Sequence, residues 1–114
     1  MTIDELLRQL VSASQVSAIV ESYAIEASDE DTLSVRVFLL DHTFINAFYN
    51  IQTGKVAFAW LGDGRRLYGK DNAKMGWHQH PFDSPSSHLL CEPVDFETFL
   101  REIEILYSKL HTSL

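Results

Sequence analysis

Leu33-Ser34-Val35-Arg36-Val37-Phe38-Leu39-Leu40 carries an aliphatic side chain at every second position. Side chains of a β-strand point alternately to the two faces of a sheet, so this period of two predicts a strand with one buried face. Polar turns bound the stretch, with Ser28 to Asp31 before it and Asp41-His42 after it. The pattern therefore predicts a sheet, and other segments must supply its remaining strands.

Four further segments show a short apolar pattern between polar turns. A period of two begins at Val16 and predicts a first strand that extends through Ile25 and is buried mostly on one side. Beyond Leu40 we expect a third strand over Phe44–Ile51, a fourth over Val56–Leu61 and a short fifth over 66–68. Because the intervening turns are only a few residues long, the strands should pair as an antiparallel meander of four or five strands.

Helical patterns flank this meander. Thr2 and Glu5 form a capping box, and apolar residues then recur at helical spacing, which predicts a helix from residue 3 to about 13. Asp95 caps a C-terminal amphipathic helix that continues to Leu110. The sequence thus predicts a single α+β domain over residues 1–114, with both helices on one face of the sheet.

Composition excludes several classes of protein. The 114 residues are 46% hydrophobic, which is typical of one globular domain, and no apolar run reaches the roughly 20 residues of a membrane helix. Asp4 and Glu5 stand where a signal peptide would carry positive charge, and the single cysteine, Cys91, fits a reducing compartment. We therefore expect a cytoplasmic protein that does not contact the membrane.

The charges of the chain are unevenly distributed. A net charge of -7 disfavours a surface that binds nucleic acid by bulk electrostatics. Between Lys55 and Lys74, however, five basic residues stand against two acidic ones. Such a basic patch suits an anionic ligand or an acidic partner, or it is a set of solvated hairpin charges. Its members are Lys55, Arg65, Arg66, Lys70 and Lys74.

The segment from Gly69 to Pro93 has no sustained period and contains all three prolines, so we predict a long histidine-rich loop there. Three of the five histidines, His78, His80 and His88, lie in it. Histidine exchanges protons near neutral pH and is the commonest metal ligand, so this cluster indicates a functional site. The structural alternative is a loop whose histidine rings bond to backbone groups.

Metal-free acid–base catalysis is the leading interpretation of these histidines. Such rings can divide the general acid and general base work of RNA cleavage, while a cation stabilises the phosphate and aromatic rings stack on a base. This chemistry needs no cofactor. The candidate catalytic residues are His78, His80 and His88, and the candidate substrate-binding residues are Arg65, Arg66, Lys70, Tyr68 and Trp77.

A zinc or iron site is the first alternative. On an extended backbone His78 and His80 point the same way, and two imidazoles on one face bind a metal when a third ligand joins them. The candidates for that ligand are His88, Asp71, Asp83 and Cys91. The string His78-Gln79-His80-Pro81 also resembles part of the JAMM metalloprotease signature, but His88 and Cys91 stand where that signature has serine and aspartate.

The layout and the histidine segment together resemble the TumE-like toxins, small proteins of toxin–antitoxin modules. The comparable residues are Tyr68 to Ala73, Gly76 to Pro81, Pro85 and His88, about a fifth of the chain. The inserted Lys74-Met75-Gly76 and the HxH spacing depart from that family's pattern. The resemblance implies a bacterial cytoplasmic toxin, acting on RNA as a nuclease and silenced by an antitoxin protein.

A non-enzymatic partner-binding module is the third interpretation. Here Trp77 and Phe82 would dock the segment onto another protein, and the histidines would have no chemical role. We also consider a homodimer.

Overall fold

The computed structural model describes residues 1–73, 76–84 and 86–112. Seven strands form one antiparallel sheet in chain order, so that every strand pairs with its neighbours in sequence. The elements in order are α1 Ile3–Gln15, β1 Val20–Ser28, β2 Thr32–Leu39, β3 Phe44–Asn50, β4 Lys55–Gly62, β5 Arg65–Asp71, β6 His78–His80, β7 Leu89–Leu90 and α2 Phe96–Thr112. The predicted α+β class, with an N-terminal helix, a meander and a C-terminal helix, is confirmed.

The core lies on one face of the sheet. The alternating aliphatic residues of β2 are all buried, and their cross-strand partners on β3 continue the same face, for example Ala47 opposite Val35. Leu10 of α1 and Phe99 of α2 belong to this core cluster, so both helices cover the same side of the sheet as predicted. Burial of these apolar side chains is the main contribution that stabilises the fold.

The helix caps expected from the sequence are present. The Glu5 amide donates to the Thr2 hydroxyl at 3.1 Å, and the Thr2 amide donates to the Glu5 carboxylate, which completes the capping box. The Thr98 amide donates to the Asp95 carboxylate at 2.8 Å at the start of α2. These bonds satisfy amides that have no partner inside a helix. Neither described helix has the length and apolar character needed to span a membrane.

The prediction for β1 is wrong in its start and in its burial. The strand begins at Val20, not at Val16, and the side chains of its other eight residues are exposed on both faces. β1 forms one edge of the sheet, and α1 and α2 leave its side chains uncovered, so that Tyr23 and Ile25 remain 42% and 48% exposed. Alternation in a sequence identifies a strand, but it does not reveal whether another layer covers that strand.

The predicted histidine-rich loop contains two short strands. β6 pairs with β5, so that His80 lies opposite Gly69 and His78 opposite Asp71, and β7 pairs with β6. Strands of three and two residues are too short to show a period in the sequence, which explains the prediction of four or five strands and not seven. Of the residues singled out there, Lys74 and Pro85 lie outside the described residues.

The second face of the sheet, which we call the open face, has no described helix packed on it. Its side chains alternate with those of the core along β2, β3 and β4, and the strand register continues the same face across β5, β6 and β7. Each central strand buries one side and leaves the other half-buried. The residues that point to it from β2 to β4 are Ser34, Arg36, Phe38, Phe44, Asn46, Phe48, Ala57, Ala59 and Leu61.

A pair of isoleucines in α2 tests the assignment of the core. Ile103 is fully buried, whereas Ile105 is 60% exposed on the same helix. We expect Ile103→Ala to lower the free energy of unfolding by about 2–5 kcal/mol, because it removes buried methyl groups and leaves a cavity. Ile105→Ala should change it by less than about 0.5 kcal/mol. Equal losses in urea unfolding would show that α2 does not pack on the sheet through this stripe.

Candidate functional site

The three histidines of the central segment meet on the open face. β6 places His78 and His80 on the same side because they are two residues apart in a strand. Leu90 of β7 lies opposite His78, and His88 directly precedes β7, two residues before Leu90. The ring centroids lie 5.2 Å apart for His78 and His80, 5.3 Å for His78 and His88, and 4.5 Å for His80 and His88. We call these three residues the histidine cluster.

Asp71 of β5 joins the two histidines of β6. One carboxylate oxygen lies 3.2 Å from Nε2 of His78, and the other lies 3.3 Å from Nε2 of His80. The strand register causes this arrangement, since Asp71 is the direct cross-strand partner of His78. The sequence offered Asp71 only as one of several metal ligands. Recognising its role required knowing that residues 78–80 form a strand beside β5.

His80 is the most enclosed member of the cluster, with 3% of its surface exposed. Its Nδ1 atom is buried and has no hydrogen-bond partner within residues 1–73, 76–84 and 86–112. Burial lowers the pKa of His80 below its ordinary value, the positive charges of Arg66 and His88 act in the same direction, and the bond to Asp71 opposes them. A neutral His80 ring that donates from Nε2 to Asp71 has its lone pair on Nδ1, and no described group donates a hydrogen bond to that nitrogen.

His78 differs from His80 in that both of its ring nitrogens face acceptors. Nδ1 lies 3.1 Å from the carbonyl oxygen of Gly76, and Nε2 faces the Asp71 carboxylate. A carbonyl and a carboxylate only accept hydrogen bonds, so a ring that makes both bonds must carry two protons. If one ring nitrogen of His78 binds a metal or another group, the other nitrogen can still donate to its own acceptor. Gly76 itself adopts φ +95°, which glycine tolerates better than other residues.

Arg66 supplies positive charge beside the cluster. It lines a pocket of about 590 Å³ together with the three histidines, Asp71, Ala73 and Leu90. The Nε atom of Arg66 is buried and has no hydrogen-bond partner in the part of the chain that the structure describes. Arg65, also predicted to bind substrate, lies exposed at the start of β5 and is not among the residues lining the pocket.

Three predicted substrate-binding residues lie away from the histidine cluster. Tyr68 and Lys70 alternate with Asp71 on β5 and therefore point to the helix side. Both side chains bond to Glu102 of α2, Tyr68 at 2.9 Å and Lys70 at 2.8 Å. Trp77 precedes His78 and packs partly buried against the core. The structure thus does not bring these three side chains to the histidine cluster, because neighbours on a strand face opposite sides.

The remaining predicted candidates have other surroundings. Cys91 is half-buried, and burial raises the pKa of its thiol, which disfavours the nucleophilic thiolate. Asp83 is exposed in the turn after β6. His42 is exposed in the turn before β3, and His111 of α2 lies with Nε2 2.9 Å from Asp41.

The histidine cluster has the donor set of a transition-metal site. Among the described residues, one ligand nitrogen from each of His78, His80 and His88 lies within 4.8 Å of the others. Neutral imidazoles are typical zinc ligands, and such ligands commonly donate their other ring N–H to a carboxylate or a carbonyl. Asp71 and the Gly76 carbonyl provide these acceptors. No protein-family model, curated protein or solved structure matches this chain.

The lowered pKa of His80 predicts a dependence of stability on pH. The unfolded ring binds a proton near pH 6.5, whereas the folded ring binds it only at lower pH. In the presence of a chelator, wild-type protein should therefore lose stability as the pH falls through about 6.5 towards the folded pKa. His80→Asn should lose less over the same range. Urea unfolding at a series of pH values measures this, and an equal loss in both proteins would contradict the assignment.

Proposed function

We propose that the protein is a small zinc-dependent nuclease of the toxin type, which hydrolyses RNA phosphodiester bonds at the histidine cluster. The observation that carries the proposal is the buried Nδ1 atom of His80, which has no hydrogen-bond partner among the described residues, in a ring that forms one cluster of possible metal ligands with His78 and His88. A buried acceptor without a partner costs about 1–3 kcal/mol. A metal ion that accepts its lone pair removes this cost.

The surroundings of the cluster favour a metal ligand over an ordinary core histidine. Asp71 accepts from Nε2 of His80 and thereby fixes the tautomer that leaves Nδ1 free to bind. His78, His80 and His88 would hold the zinc, and three protein ligands are typical of catalytic rather than structural zinc sites. Bound zinc supplies a water of lowered pKa, a nucleophile at neutral pH.

Arg66 supports a phosphodiester as the substrate. Its guanidinium lines the same pocket as the histidines and is suited to two oxygens of one phosphate. In the hydrolysis, the water oxygen forms a bond to phosphorus and gives up a proton, the bond from phosphorus to the leaving ribose oxygen breaks, and that oxygen takes up a proton. Arg66 offsets the negative charge that increases on the phosphate during this step.

Metal-free acid–base catalysis is the second candidate function. It is favoured by His78, whose two nitrogens both face acceptors and which can therefore hold the extra proton of a general acid. The exposed His88 would then act as the base at the solvent side of the pocket. We rank it second because it leaves Nδ1 of His80 without a partner.

The setting we propose is a toxin–antitoxin module. This part of the proposal rests on the resemblance to TumE-like toxins, and it includes an antitoxin protein that blocks the nuclease. A cytoplasmic site of action follows from that setting.

Metal binding provides the first test. Isothermal titration of metal-free protein with Zn²⁺ should give one ion per chain. His80→Asn should abolish this binding, and Asp71→Asn should weaken it about 10- to 100-fold by removing the acceptor behind the ligand. His42→Asn replaces a histidine outside the site and should bind as the wild type does. Equal binding by the His80 and His42 variants would exclude the cluster as the metal site.

RNA cleavage separates the two candidate chemistries. Wild-type protein should cleave single-stranded RNA, lose this activity with a chelator and regain it with Zn²⁺. Arg66→Gln should lower kcat/KM by about 10-fold or more, because it removes a charged contact to the phosphate. Activity that persists with the chelator but is lost in His78→Asn would establish the metal-free mechanism. A wild-type protein that cleaves no RNA under either condition would overturn both.

Growth provides a test of the toxin setting. Expression of the wild type alone in bacterial cells should arrest growth, and His80→Asn expressed to the same level should not. Arrest by both proteins, or by neither, would contradict a toxin that acts through this cluster.

A further inference from the structure

Three phenylalanines lie on the open face, where a sheet that faces water normally carries polar side chains. Phe38 of β2 and Phe44 and Phe48 of β3 alternate with buried residues and are themselves half-buried. No described helix packs on this face. An apolar surface of this kind on a monomer marks an interaction site.

Small residues connect these rings to the histidine cluster. The strand register places one row of cross-strand neighbours from Phe48 through Ala57 and Asp71 to His78. The parallel row runs through Ala59 and Gly69 to His80. Strands are about 4.8 Å apart, so Phe48 lies about 14 Å from His78. Between them lies a floor of Ala57, Ala59 and Gly69, with the Asp71 carboxylate at its end beside the histidines. This floor is a shallow path with aromatic rings at one end and the proposed catalytic site at the other.

The cations of the central sheet lie along this path. The Arg36 guanidinium stands 4.3 Å from the centroid of the Phe44 ring, and the Lys55 ammonium lies 5.7 Å from that of Phe48. Arg66 follows beside the histidines and passes over Gly69, where an added Cβ would come within 3.2 Å of its side chain. Glu26 pairs with Arg36 at 3.0 Å. Cations thus lie at both ends of the path, with Arg36 paired to Glu26 and the Asp71 carboxylate beside the histidines.

The acidic side chains of the helices lie on the other side of the molecule. α1 carries Asp4 and Glu5 against Arg8, and α2 carries Glu97, Glu102 and Glu104 against Arg101 and Lys109. The helices cover the face opposite the open face. Each helix carries more acidic than basic residues, although Glu102 and Glu104 are paired with Lys70 and Arg101. The cations that a polyanion can meet on the open face are Arg36, Lys55 and Arg66.

We propose that the open face is the binding track for single-stranded RNA, which crosses from Phe48 over the Ala57–Ala59–Gly69 floor into the histidine cluster. This inference rests on the proposed function, since it supplies the substrate's path to that site. Unpaired bases stack on aromatic rings irrespective of sequence, whereas a duplex hides the faces of its bases. The combination of rings, cations and a flat floor favours RNA over a protein segment, for which the cations and the link to Arg66 have no evident use.

Binding is measured by fluorescence anisotropy in the presence of a chelator, with a labelled, 2′-O-methylated oligouridine of about ten nucleotides. The chelator removes the metal needed for hydrolysis by water, and the 2′-O-methyl groups block the metal-free attack by the 2′-oxygen. Phe48→Leu keeps an apolar side chain but removes the ring, and it should weaken binding about 10-fold. Tyr23→Ala is the matched control, because it removes an exposed aromatic ring from β1 on the helix side of the sheet. It should bind as the wild type does.

Salt and duplex RNA provide two further readouts. Lys55→Gln should reduce the slope of log affinity against log salt, because one fewer counterion is released on binding. The corresponding duplex should bind more weakly than the single strand. Each variant is first shown by thermal unfolding to be folded at the temperature of the assay.

The outcomes distinguish this inference from the proposed function. If the wild type binds the oligonucleotide through Phe48 but cleaves no RNA, the track stands and the nuclease proposal fails. If the wild type cleaves a dinucleotide at the cluster but Phe48→Leu and Tyr23→Ala bind the oligonucleotide equally well, the nuclease stands and the track is overturned. Absence of oligonucleotide binding by the wild type also overturns the track, and it leaves the open face for a protein partner.

Discussion

The carboxylate of Asp71 lies between the Nε2 atoms of His78 and His80, and the arrangement of the site depends on these two contacts. A single carboxylate fixes the orientation of two rings and determines which nitrogen of His80 faces away from it. The pairing of β5 with β6 places the three side chains together, so the precision of the site derives from a backbone ladder and not from a flexible loop. A shift of this ladder by one residue would turn both histidines towards the helices.

The distribution of layers explains why the site is accessible. Both helices pack on one face, where residues such as Phe99 and Trp60 form the core, and the opposite face is free of described helices. Tyr68 and Lys70 belong to the covered side and connect β5 to Glu102 of α2. β5 therefore has two roles. Its residues on the covered side attach it to the core, and the alternate residues on the open face contribute to the histidine site.

Much of the fold could be predicted from the sequence because its signals are local. The alternation from Leu33 to Leu39 and the capping box at Thr2 each act over a few residues, and the structure confirms both. The burial of β1 could not be predicted, since it depends on where distant helices lie. The site was predicted in part. The shared direction of His78 and His80 follows from their spacing. The contact with Asp71 depends on the pairing of β6 with β5, and a strand of three residues is too short to show a period in the sequence.

X-ray absorption at the zinc edge most directly tests the proposed binding of zinc by three imidazoles. We expect the zinc-loaded protein to show three imidazole nitrogens at about 2.0–2.1 Å, with the outer-shell scattering of histidine rings and one further light atom. The spectrum of an Asp71→Asn sample should keep this ligand set at reduced occupancy. A sulfur ligand, which among the described residues only Cys91 or a methionine can supply, or a zinc held by fewer than three imidazoles, would contradict the assignment of His78, His80 and His88.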